Sequence, residues 1–136
     1  MTSVARSLTL TLLETPLALV RLDGDAEVPG WATAGPFSSV TRTEEELSIV
    51  CAESRVPAGI AREPGFCALK LEGPFPLDEV GILASVASPL AAAGVAIFVL
   101  ATFDTDYVLV KADRVGAASR ALEAAGHRVV RAAGPS

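Results

Sequence analysis

Two helix ends of the same make, Leu90-Ala91-Ala92-Ala93-Gly94-Val95 and Leu122-Glu123-Ala124-Ala125-Gly126-His127, constrain this chain more than any other feature. In each, an alanine-rich helical run is stopped by a glycine, the residue that most readily takes the left-handed backbone at a helix end, and a strand follows. The neighbouring residues complete the pattern. Residues 66–72 alternate, with Cys67, Leu69 and Leu71 on one face and Ala68, Lys70 and Glu72 on the other, as in a strand covered on one side. Ile82, Leu83, Val86, Ala87 and Leu90 then fall on one helical stripe, with Asp78 as the expected cap. Residues 95–101 are apolar at every position, which predicts a central strand buried on both faces, with residues 107–110 as its hairpin partner. Asp113 is the expected cap of a second helix that turns Val115, Ala118, Leu122 and Ala125 inward, and a last strand covers 127–131. Strand, helix, strand, strand, helix, strand is the ferredoxin-like βαββαβ order, an α+β fold with two helices on one face of an antiparallel sheet.

The N-terminal half is richer in strand signals. Residues 8–13 and 17–22 read as two short strands around Glu14-Thr15-Pro16, where the proline invites a hairpin turn. Residues 23–36 form a glycine- and proline-rich loop pinned by Trp31, and the β-rich runs 37–41 and 47–51 flank a charged turn. Ser39, Thr41 and Arg42 are the polar cluster of this half, with Arg42 either a surface cation or a partner for a carboxylate. Proline and glycine recur through 55–65, which divides the chain into a β-rich subdomain, 1–63, and a C-terminal domain, 64–136.

Composition excludes several classes of function. A chain that is 51% hydrophobic can bury a core and still keep apolar surface to cover, which predicts a homo-oligomer, most simply a homodimer. Sixteen acidic residues against eleven basic ones argue against binding nucleic-acid phosphates. The apolar run at 8–13 is too short for a membrane span and has no leader-like flanks, so the expected location is cytoplasmic, with no membrane partner. Cys51 and Cys67 sit in strand-like runs and read as small, reduced, buried hydrophobes. One histidine, His127, and no Cys-x-x-Cys leave no metal set. No phosphate loop, nucleophile elbow or zinc-protease motif is present, so the reading has no catalytic residue, no cofactor and no enzyme activity.

What remains is a polar turn inside an apolar hairpin. Thr102-Phe103-Asp104-Thr105-Asp106 follows one strand, and Gly81 opens the helix upstream. Two readings stay open. The Asp-Thr-Asp step can be a turn whose side chains bond their own backbone. Alternatively, its carboxylates meet a ligand cation while the helix start offers N–H donors to an anionic group, an arrangement suited to a small zwitterion.

The runs Gly81-Ile82-Leu83-Ala84-Ser85-Val86-Ala87-Ser88-Pro89-Leu90 and Ala101-Thr102-Phe103-Asp104-Thr105-Asp106-Tyr107 resemble the ACT family of small-molecule-binding regulatory domains. Within it they are similar to the CASTOR-like amino-acid sensors, where a helix containing Ser-Val and ending Pro-Leu precedes a strand closing on Ser/Ala-Thr-Phe/Tyr-x-x-Asp. Residues 64–132 carry most of the similarity, and 36–50 match more loosely. The resemblance implies an ACT domain in the C-terminal half, an ACT-like β-rich N-terminal subdomain, and an amino acid or related small metabolite as ligand. It places Gly81, Ser85 and Val86 at one end of that ligand and Thr102, Phe103 and Asp106 at the other, and the reading adds their neighbours Ile82 and Asp104. It further implies a site between subunits or between the two halves, with binding reported through oligomer state or an unidentified protein partner. The competing reading is a structural interaction module with no ligand.

Overall fold

A 15-residue first strand, β1 (Thr9–Asp23), runs straight through the Glu14-Thr15-Pro16 step expected to turn it. The remaining elements are β2 (Ser38–Arg42), β3 (Glu46–Ala52), β4 (Glu63–Leu71), α1 (Ile82–Ala92), β5 (Phe98–Ala101), β6 (Asp106–Lys111), α2 (Val115–Ala124) and β7 (Arg128–Arg131). β1 pairs in parallel with β7 over Thr9–Leu12 and in antiparallel with β3 over Leu17–Asp23. Pro16 lies between these two registers, where neither ladder asks for its missing N–H. The expected hairpin is therefore one strand that changes partner.

The structure, a computed structural model, describes residues 6–132. Two units share β1: one takes the chain up to Glu14 and from Cys67 onward, the other is Thr15–Phe66. The division drawn from sequence at 63/64 falls within three residues of the step at Phe66, while the start of β1 joins the later unit instead of the earlier one.

The later unit is the ferredoxin-like one, with strand order β7-β1-β4-β6-β5. Ile82, Val86 and Leu90 on α1 and Ala118 and Leu122 on α2 bury one stripe each against Leu10, Leu69, Leu71, Val108 and Val110. Each fully buried leucine there contributes roughly 1.5–3 kcal/mol. Positive-φ glycines, Gly94 and Gly126, close both helices as expected.

Three local expectations change. β5, read as central, is a four-residue edge strand, half-buried at Phe98, Val99 and Leu100 and exposed at Ala101, and β6 is the inner one, with Val108, Leu109 and Val110 fully buried. Val95 and Ile97 are apolar because they pack on the core before β5 begins, so half of that run is approach to the strand. Neither Asp78 nor Asp113 caps a helix. Gly81 precedes α1 with φ +90°, and Arg114 precedes α2 after a short 3-10 turn, Ala112–Arg114, that contains Asp113.

The other unit orders its strands β2-β3-β1 over a core of Ala18, Val20, Leu47, Ile49, Cys51 and Val56. Trp31 anchors a 3-10 turn, Gly30–Thr33, against that core, as its loop predicted. Arg42 donates to the Gly24 carbonyl at 2.6 Å, so its cation closes a turn. Gly24 is obligatory there, because a Cβ would stand 2.3 Å from the Glu44 carbonyl oxygen.

Candidate ligand-binding site

The loop between β5 and β6 is held by its threonines. Thr102 N–H donates to the Thr105 carbonyl at 2.8 Å, and the Thr102 hydroxyl donates to the same oxygen at 3.0 Å while accepting from Thr105 N–H at 3.3 Å. Thr105 is buried, and its hydroxyl donates to the Leu71 carbonyl at 2.5 Å, tying the loop to the end of β4. Aspartate side chains do not build the turn. Among the described residues, no hydrogen bond or ion pair engages the carboxylates of Asp104 and Asp106. Phe103 stands 78% exposed beside them.

The start of α1 is organised differently. A Cβ on Gly81 would meet nothing within 4 Å, so the backbone at the helix start is open to an approaching group. Ser85 turns its hydroxyl back to the Ile82 carbonyl at 2.7 Å. Its own carbonyl is freed from the helix ladder because Pro89, four residues on, has no N–H to give. His127 fills that vacancy: its Nε2 lies 2.8 Å from the Ser85 oxygen, and its Nδ1 accepts from Leu8 N–H at 3.1 Å. That pair of bonds assigns the proton to Nε2 and makes the buried imidazole a brace for α1.

Two adjoining clefts collect the residues singled out by sequence. A cleft of about 130 Å³ is lined by Ile82, Thr102, Phe103, Asp104 and Asp106. A broader groove of about 520 Å³ runs along α1 and is lined by Gly81, Ile82 and Ser85. Ile82 belongs to both. Val86 lines neither and is fully buried in the core, so its side chain serves packing.

Sequence reading passed over four contributors. Phe75 and Glu79 line the smaller cleft, and Arg6 and Glu79 line the groove. Thr105, between the two aspartates, is the fourth. The Gly73-Pro74 step leads Phe75 to the loop, where Phe75 N–H donates to the Asp104 carbonyl at 3.0 Å. The Gly73-Pro74-Phe75-Pro76 run itself was the available signal, since an aromatic between prolines is costly to leave in solvent.

Both thiols are free, and burial pushes each upward from its ordinary range. Arg62 partly offsets this at Cys51, while at Cys67 the Glu14 carboxylate adds to the rise and Arg131 opposes it. Neither has the lowered pKa of a reactive thiolate. Among the described residues, no group of three or more His, Cys, Asp or Glu side chains is placed to hold a metal ion, and no helix is long and apolar enough to cross a membrane.

Comparisons with known proteins bear on the family and the fold. A family model described as an ACT domain matches residues 61–124, and a second, described as an N-terminal domain, matches 17–59. The human cytosolic arginine sensor for mTORC1 subunit 1 is 40% identical over 50 residues, which is 37% of this chain but only 15% of that protein. A crystal structure of an Agobacterium tumefaciens protein is 39% identical, covers 97% of this chain and 98% of its own, and superposes with a TM-score of 0.90. The regulatory subunit of aspartate kinase from Thermus flavus shares the fold at 17% identity, over 88% of this chain and 99% of its own, with a TM-score of 0.59.

Proposed function

The chain belongs to the ACT-domain family, and from that membership we propose that it is a non-enzymatic amino-acid-binding regulator whose ligand lies between the opening of α1 and the β5–β6 loop. Family membership carries the general role, regulatory binding of a small molecule. One observation carries the finer reading. Threonine hydroxyls build the loop, which leaves two carboxylates beside an exposed phenylalanine in a cleft with no internal task. A ligand ammonium or other cation suits the Asp104 and Asp106 end, and a ligand carboxylate suits the open backbone at Gly81.

The human relative is named as a cytosolic arginine sensor. Arginine is therefore the first ligand to try, and a cytosolic location, checked by cell fractionation, goes with the proposal. A second subunit is part of the reading, because Leu77, Val80 and Phe103 are 73%, 93% and 78% exposed around the clefts. Those same side chains favour the alternative of a ligand-free interaction module, in which a partner protein alone covers them.

Asp106→Asn tests where the ligand's cationic group lies. It keeps shape and removes charge, and the turn does not use the carboxylate, so basal stability should be unchanged. Binding of a cationic ligand, measured by titration calorimetry, should weaken by an amount on the order of 2–3 kcal/mol, as for a lost charge-assisted bond. Unchanged affinity in a well-folded variant removes Asp106 from the site.

A further inference from the structure

Arg6 lines the groove and already touches two residues of the smaller cleft. Its guanidinium carbon lies 5.1 Å from the centroid of the Phe75 ring, and its Nη1 is ion-paired with Oε2 of Glu79. Phe75 and Glu79 line the cleft that also holds Asp104 and Asp106, and Glu79 reaches the groove that contains Gly81 and Ser85. A planar cation over an aromatic face with a carboxylate at its edge is how proteins receive a guanidinium group, since the ring quadrupole and the carboxylate attract the same charge from two directions.

The hold on Arg6 is weak. Its side chain is 53% exposed and that of Glu79 27%, so water screens the ion pair and little free energy opposes its opening. An incoming guanidinium would recover the same two contacts and would also face Asp104 and Asp106, with which Arg6 makes no ion pair.

We propose that Phe75 and Glu79 form a guanidinium seat which Arg6 fills in the free chain, and that a ligand carrying a guanidinium group binds by displacing it. Arg6 is then an internal competitor. Apparent affinity is lowered by the fraction of time the seat is taken, and binding releases the chain around Arg6 as a signal that an empty site does not give. The inference rests on the function proposed above for the place of the ligand, and adds the seat and its occupant.

The probe is agmatine, which carries a guanidinium and no carboxylate. It is titrated into the full chain and into Arg6→Gln by calorimetry, with the Arg6 Nε–Hε resonance followed by NMR. Agmatine should shift that resonance away from its ring-influenced position and should bind Arg6→Gln roughly five- to tenfold more tightly than the unaltered chain. Glu79→Gln, which keeps the shape of the seat, should weaken agmatine in the Arg6→Gln background. Equal affinity with and without Arg6 overturns the proposal, and so does an absence of agmatine binding to both proteins. A parallel titration with the standard amino acids, arginine included, separates this from the function itself. If one binds both proteins alike while agmatine binds neither, the seat falls and the ligand reading stands. If agmatine displaces Arg6 and no amino acid binds, the seat stands and the ligand reading falls.

Discussion

A hydroxyl buried beneath a loop must donate somewhere, and the donation of Thr105 to the Leu71 carbonyl sets the height of the whole β5–β6 loop above β4. Thr105→Val keeps the side-chain shape and leaves that carbonyl without its donor, so the fold should lose about 1–3 kcal/mol in a urea titration, while Thr105→Ser should recover most of it. A variant as stable as the original would mean that the loop is held otherwise. The sequence made Asp106, Phe103 and Thr102 visible because they stand in a short linear motif. It hid Thr105, whose partner lies 34 residues away, and it hid Arg6, whose partners Phe75 and Glu79 lie about seventy residues on. Val86 carries two signals at once, a motif position and a place on the helical stripe, and its side chain is buried in the core.

Elements were legible where their cause is local. Four-residue spacing of Ile82, Val86 and Leu90 and the glycines at 94 and 126 depend on the helix alone, and both helices form with those closures. The continuity of β1 and the exchange of edge and centre between β5 and β6 depend on which distant strand lies alongside, and no local pattern contains that. Pro89 and His127 belong to the same class, because a proline that frees a carbonyl becomes intelligible only when the histidine that satisfies it is in view. Gly81 and Gly94 allow a paired test at this scale. Both have positive φ, +90° and +73°, and both leave open space where a Cβ would go. Alanine at either should cost roughly 1–2 kcal/mol of backbone strain, read by thermal unfolding. Only Gly81→Ala should also lose ligand response, since its methyl enters the groove at the helix start. Equal ligand response in the two variants would place the ligand elsewhere.

For the whole molecule, acidity and apolarity point the same way. A net charge of -5 disfavours polyanionic partners, and large exposed apolar side chains next to the clefts call for a cover. Light scattering should report a dimer at micromolar concentration, and a monomer both with and without ligand would leave Leu77 and Val80 unexplained. Whether the chain binds an amino acid at all is the claim on which the rest depends, and ligand-dependent thermal stability tests it most directly. A ligand present at about 100 times its dissociation constant adds roughly 2.7 kcal/mol to the stability of the state it binds. Across the standard amino acids and their decarboxylated and neutral analogues, the account predicts at least one concentration-dependent rise in melting temperature, strongest for a cationic amino acid and reduced in Asp106→Asn. A flat response to every one of them, in protein that unfolds cooperatively, would contradict it.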